Sequence, residues 1–190
     1  MKEWNKLPVI KKILQPELLG QANIPKPLHG INPRTIMGDK LWARQRKVIV
    51  QATPYCKACG KQTTMLDVHE DYTIDYPKAT MKLNSYVPLC KFCHQFIHSG
   101  LLAVLIAKKS IPKALGIDIL KHGISICREN NVKVFISTFE LANKLGVNTK
   151  DVKFWKPAPS YKSWEDWRLI FGNKVYYGVS KTVWSEKYGY

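Results

Sequence analysis

The sequence predicts an α+β protein in three parts. An extended basic arm covers residues 1–38, a helix and a strand–strand–helix centre cover 39–108, and a mainly helical extension ending in a β-hairpin covers 109–190. Three observations predict this. Two Cys-x-x-Cys pairs, Cys56/Cys59 and Cys90/Cys93, bracket two β-prone runs. His94, His98, Leu101, Leu102 and Leu105 then recur at the three- and four-residue steps of a helix. Beyond Ser110 an apolar stripe of Ile117, Leu120, Ile124 and Cys127 continues the helical period.

The arm is inferred from five prolines and three glycines in the first 38 residues, which leave room only for a short helix near 9–14. Asp39 is placed to cap a helix over 40–51 that Pro54 ends, with Arg44, Arg46 and Lys47 projecting from it. Cys59-Gly60 reads as a knuckle turn. Strands are expected over 65–72 and 81–89, joined through Asp75-Tyr76-Pro77, and a helix from Lys91. Strand, strand, helix with cysteines at both ends is a treble-clef outline. Further on, a helix is expected over 111–130, and Ser137-Thr138-Phe139-Glu140 reads as a capping box for a short helix through Lys144. Gly146 breaks that helix, another follows over 149–155, and Gly172-Asn173 marks a two-residue hairpin.

Composition narrows the function classes. Hydrophobic residues make up 45% of the 190, with six Trp, nine Tyr and six Phe, which supplies a core and argues against wholesale disorder. No apolar run approaches the roughly 18 residues needed to span a bilayer, so no membrane partner is expected. The N-terminal residues carry scattered charges and make a poor signal peptide. Cysteines in CxxC pairs fit metal-bound thiolates in a reducing compartment, so the expected address is the cytoplasm. Net charge is +16, and residues 1–55 and 109–190 each contribute +7 against +2 for 56–108. Basic flanks around a nearly neutral centre point to a polyanion, DNA, gripped from both sides.

The four cysteines fit a structural, tetrahedral Zn²⁺ site. His94 and His98, four residues apart on a helix, can hold a second divalent ion. The alternatives are that either histidine replaces a cysteine at zinc, or that both simply pack. His29 and His122 stand alone and read as structural, and Cys127 on the apolar stripe reads as core.

The run Cys56-x-x-Cys59-Gly60, Leu66-Asp67-Val68-His69-Glu70, then Leu89-Cys90-x-x-Cys93-His94-x-x-x-His98-Ser99-Gly100 resembles the HNH endonuclease family. In that family a ββα-metal site is built into a treble clef. The His-Glu start, the aromatics Tyr72 and Tyr76, and the Leu-Cys ending look like a bacterial and phage branch. The match covers about 45 residues, from Cys56 to Gly100. The resemblance implies a metal-dependent DNA endonuclease in which His69 is the general base and His94 and His98 bind Mg²⁺ or a transition-metal ion. Where the family has a metal ligand before the base, this chain has Val68, so Asp67, Glu70 or solvent would replace it. The family's middle Asn, which orients the base, aligns with Ser85, beside Asn84.

DNA contacts are expected from Arg44, Arg46 and Lys47 and from the arm. Ala142, Gly146 and Val152 also fit a helix-turn-helix over 138–155, which would aim Asn148, Thr149, Lys150 and Lys153 at a major groove. An ordinary helical hairpin fits the same residues. Trp164, Trp167, Tyr176 and Tyr177 read as hairpin core rather than a stacking platform. The competing function is a zinc-binding DNA-binding or regulatory protein without catalysis, and a third is a zinc-stabilised adaptor for acidic surfaces. Target site, strand preference and oligomeric state are not encoded legibly.

Overall fold

The computed structural model describes residues 14–188, so residues 9–13 of the first expected helix lie outside it. A short helix α1 (Pro33–Met37) leads into α2 (Asp39–Ala52). Strands β1 (Leu66–Asp75) and β2 (Thr80–Cys90) form an antiparallel hairpin. Helices α3 (Lys91–Ile97), α4 (Ser99–Ala107) and α5 (Lys113–Glu129) follow. Then come β3 (Val134–Phe135), α6 (Ile136–Lys144), β4 (Phe154–Trp155), β5 (Arg168–Phe171), β6 (Lys174–Tyr177) and α7 (Lys181–Tyr188). The larger sheet runs β1-β2-β5-β6, with β2 and β5 parallel, and β3 and β4 form a separate parallel pair. The architecture is mixed α+β, and no helix among the described residues is long and apolar enough to cross a membrane.

A bulge divides the hairpin between two cores. Asp71 faces Ser85 and Tyr72 faces Leu83, so Asn84 is the extra residue. Leu66, Val87, Leu89 and Cys90, on one side of the bulge, join the larger core with Phe96, Ile119, Leu120 and Ile124. Tyr72 and Met81, on the other side, join the smaller one with Leu28, Trp167 and Leu169. Helix α5 reaches the larger core closely because Gly123 has no side chain; a Cβ there would collide with the Phe96 ring.

Several expectations are corrected. The described part of the N-terminal arm is a packed strap. Two 3-10 turns, Pro16–Gly20 and Lys26–Leu28, begin at or beside prolines and carry Leu18, Leu19 and Leu28 into the cores. Prolines here fix the chain's direction while the leucines supply the burial. Helix α2 is capped at Gly38 without a side-chain hydrogen bond, and Asp39 pairs with Arg34 at 2.7 Å instead. The helix from Lys91 breaks at His98, which takes φ −83° and ψ 43° between α3 and α4.

The structure also removes the helix-turn-helix. Gly146, with φ +76°, does end α6, but residues 149–155 form a turn and the strand β4. Lys153 C=O accepts from Val134 N–H, which draws the segment into a strand pair. Helix α6 also lacks the expected Ser137 cap; Ser137 Oγ accepts from Asn23 Nδ2 at 2.7 Å, and the buried Thr138 hydroxyl donates to Ser99 Oγ at 2.7 Å. The Gly172-Asn173 hairpin has the expected register, with Phe171 opposite Lys174, but α7 follows it.

Candidate metal centre

Cys56 and Cys59 sit on a tight turn in which Gly60 N–H donates to Cys56 C=O and Gly60 adopts φ +74°. Cys90 ends β2 and Cys93 lies in the first turn of α3. The four sulfurs lie within 4.8 Å of one another and could hold a metal ion such as zinc. Cys59 Sγ and Cys90 Sγ are 3.8 Å apart. A tetrahedron of 2.3 Å Zn–S bonds has edges of about 3.8 Å, so the donor set fits that ion. Hydrogen bonding from Cys56 pushes the Cys90 thiol far down, and the Cys56 contact pushes Cys93 up, because the four sulfurs crowd one another. His122 on α5 places Nε2 3.4 Å from Cys93 Sγ, close enough to donate to a thiolate.

A second cluster forms beside it. His69 on β1, His94 on α3 and His98 at the α3–α4 break bring their rings together, with centroids 4.7 to 5.4 Å apart. One ligand nitrogen from each lies within 4.8 Å of the other two, so the three could hold a metal ion. Burial pushes His98 down to about 4, and burial, then the charges of His98 and His94, hold His69 well below the usual imidazole range. Both rings are therefore neutral at pH 7, the state in which imidazole binds a metal or accepts a proton.

Neighbouring groups decide which nitrogens are free. Asp67 Oδ2 lies 3.4 Å from His94 Nδ1, which leaves His94 Nε2 for a ligand. The His94 hydrogen bond, opposed by burial, holds the Asp67 carboxyl below its usual range. His69 Nε2 lies 2.7 Å from Gln21 Oε1, and His69 Nδ1 is buried without a hydrogen-bond partner among the described residues.

The remaining expected site residues fall elsewhere. Glu70 points away from His69 by strand alternation, stands opposite Tyr86, and has its carboxyl pushed up by burial. The exposed Asn84 and Ser85 sit at the bulge, where Asn84 Nδ2 donates to Thr73 Oγ1 at 3.0 Å and to Asp71 Oδ2 at 3.4 Å. The side-chain hydrogen-bond partner of His69 is instead Gln21, 48 residues upstream, and no local motif marks it.

Arg46 and Lys47 line a groove of about 760 Å³ between α2 and β1, together with Arg34, Trp42, Asp67 and His94. Arg46 also donates to Leu66 C=O at 2.8 Å, whereas Arg44 is exposed outside the groove lining. Asn148, Thr149, Lys150 and Lys153 lie on the loop after α6 and bond locally. Asn148 C=O accepts from Arg128, Thr149 donates to Asn143, Lys150 N–H donates to the Asn148 side chain, and Lys153 donates to Asn131. They form no recognition helix. Compared with family models, curated proteins and solved structures, the chain matches none.

Proposed function

We propose that this chain is a metal-dependent DNA endonuclease of the HNH type, its centre a treble clef held by zinc on Cys56, Cys59, Cys90 and Cys93. The observation that carries the reading is the convergence of His69, His94 and His98 beside the four sulfurs. Packing alone does not require three imidazoles to meet with neutral lone pairs.

In this reading His94 and His98 hold a divalent ion, and His69 Nδ1 takes the proton from the water that attacks the scissile phosphate. The ion supplies positive charge for the phosphorane and the leaving 3′ oxygen. Nitrogen donors favour a transition metal over Mg²⁺, which prefers oxygen ligands. Asp67 fixes the His94 ring. Arg34, Arg46 and Lys47 line the groove that runs to His94, where they can meet a phosphate backbone.

One observation favours a second reading, a DNA-binding protein without catalysis: Asn84 bonds Asp71 and Thr73 rather than His69, and Ser85 stands opposite Asp71 on the exposed bulge. Incubating supercoiled plasmid with the zinc-loaded protein and Mn²⁺, Ni²⁺ or Mg²⁺ separates the two. Nicking is expected with the transition metals, and His69→Ala should slow it about 10²- to 10⁴-fold, the usual worth of a positioned base. Salt-sensitive DNA binding without nicking would favour the binder, and nicking unchanged in His69→Ala would remove the base.

A further inference from the structure

The strap residue Gln21 lies outside the Cys/His motif and touches it at one point. Its Oε1 is 2.7 Å from His69 Nε2, and its Nε2 donates to Tyr72 C=O at 3.3 Å. The carbonyl can only accept, so the amide presents its NH₂ to Tyr72 and its oxygen to His69. An acceptor at His69 Nε2 requires the hydrogen there. Nδ1 then carries the lone pair, and Nδ1 is the buried atom without a partner.

We propose that Gln21 is a positioning residue that fixes His69 as the Nε2–H tautomer, so that Nδ1 offers its lone pair to the space shared with His94 and His98. The inference rests on the reading of His69 as the group that handles the proton, but its main consequence is visible without turnover.

The strap is built to hold that contact. On one side Leu19 is buried in the larger core and Gly20 C=O accepts from Trp155 Nε1 at 2.8 Å. On the other, Ala22 is buried and Asn23 bonds Ser137 at 2.7 Å, with Ser99 Oγ 3.4 Å away. Gln21 is therefore clamped at both neighbours. Only the tautomer it selects leaves a lone pair on the buried, unpartnered Nδ1. The Nδ1–H tautomer would leave two acceptors face to face at Gln21 and a buried donor without a partner.

The test uses the full zinc-loaded chain with ¹⁵N-labelled histidine. Long-range ¹H–¹⁵N spectra distinguish protonated from lone-pair ring nitrogens, and wild type should show His69 protonated at Nε2. Gln21→Leu should convert His69 to a tautomer mixture or to Nδ1–H. Gln21→Glu keeps an acceptor and should keep Nε2–H, a rescue that guards against Gln21→Leu failing to fold. With Mn²⁺ or Ni²⁺, Gln21→Leu should lower kcat for nicking about 10- to 100-fold at unchanged DNA affinity, the usual cost of losing such an outer partner.

A wild-type His69 protonated at Nδ1 overturns the proposal, as does a tautomer untouched by Gln21→Leu. A tautomer that follows Gln21 in a protein that never nicks DNA supports the positioning role and removes the nuclease reading instead.

Discussion

His29 and His69 are both gripped at Nε2 by an oxygen of the N-terminal strap, and they differ in what meets the other nitrogen. His29 Nε2 lies 3.0 Å from Ile24 C=O, and its Nδ1 accepts from Trp184 Nε1 at 3.1 Å. Both nitrogens are used, and the ring is edged by Trp184 and Tyr188. His69, only 3% exposed, has Gln21 at one nitrogen and no hydrogen-bond partner at the other among the described residues. A histidine with two satisfied nitrogens is a wall between elements. One with a buried, unpartnered nitrogen and two further imidazoles beside its ring retains the capacity to bind or to react. Orphaned polar atoms are rare because they cost free energy, and on the proposed reading this is the atom that would meet a proton or an ion.

The largest expected effect breaks the comparison on one side only. Cys90 and Cys93 fix the end of β2 and the start of α3, hence the position of His94. The His29 contact joins the strap to α7 and does not pass through the four sulfurs. Zinc in such a site contributes roughly 10–16 kcal/mol of apparent binding, more than most domains' whole stability. Cys93→Ser should abolish stoichiometric zinc and open α3 and the neighbouring part of β1 to hydrogen exchange. Metal analysis and amide exchange measure both. Protected α3 amides without zinc would show that the thiolates do not hold the His69 cradle.

The difference between the two histidines was half legible in the sequence. His69, His94 and His98 stood out because they flank a Cys-x-x-Cys spacing, and helical period placed two of them on one face. His29 and His122 stood alone, and His29 does pack against Trp184. The hairpin, the α5 stripe and the four cysteines were legible because chain-local rules determine them. Gln21 was not, because a glutamine among prolines carries no periodic signal and its contact spans 48 residues. Asn84 was misjudged for a related reason: alignment counts residues, and a bulge shifts the count by one. The Ala142–Val152 pattern was met by core packing, since Ala142, Val147 and Val152 all enter the larger core.

A second experiment sharpens the contrast at His94. Its Nδ1 faces a carboxylate where His29 Nδ1 faces an indole N–H, so His94 can donate there, which leaves Nε2 for the proposed ion. Asp67→Asn weakens that orientation while leaving the thiolate site intact. Loss of an outer carboxylate typically costs 10–100-fold in metal affinity, and a drop of at least about 10-fold is expected for Ni²⁺ or Mn²⁺ at the histidines. Calorimetric titration of zinc-loaded protein reads it. Unchanged affinity would reduce the Asp67–His94 pair to an ordinary surface contact.

The smallest effect concerns the wall itself. Burial pushes His29 below the usual imidazole value; the Ile24 hydrogen bond pulls it partly back, and Lys26 lowers it further. Because the folded value is depressed, the fold favours the neutral ring, and the unfolded chain binds the proton first as pH falls. The contribution of His29 is therefore complete above the unfolded value near 6.5 and declines below it. Protonation at Nδ1 would set two donors, His29 and Trp184, against each other. Lowering the pH from 7.5 to 5 should then weaken the docking of α7 by about 1 kcal/mol, the net worth of that hydrogen bond. Solvent exchange of the Trp184 indole proton follows this contact alone, so it separates His29 from the acid sensitivity of His69 and His98. His29→Leu should flatten the pH dependence of that exchange. An indole proton that stays equally protected at pH 5 would mean that α7 is held by the contacts of Lys26 and Trp164 with the Trp184 ring rather than by His29.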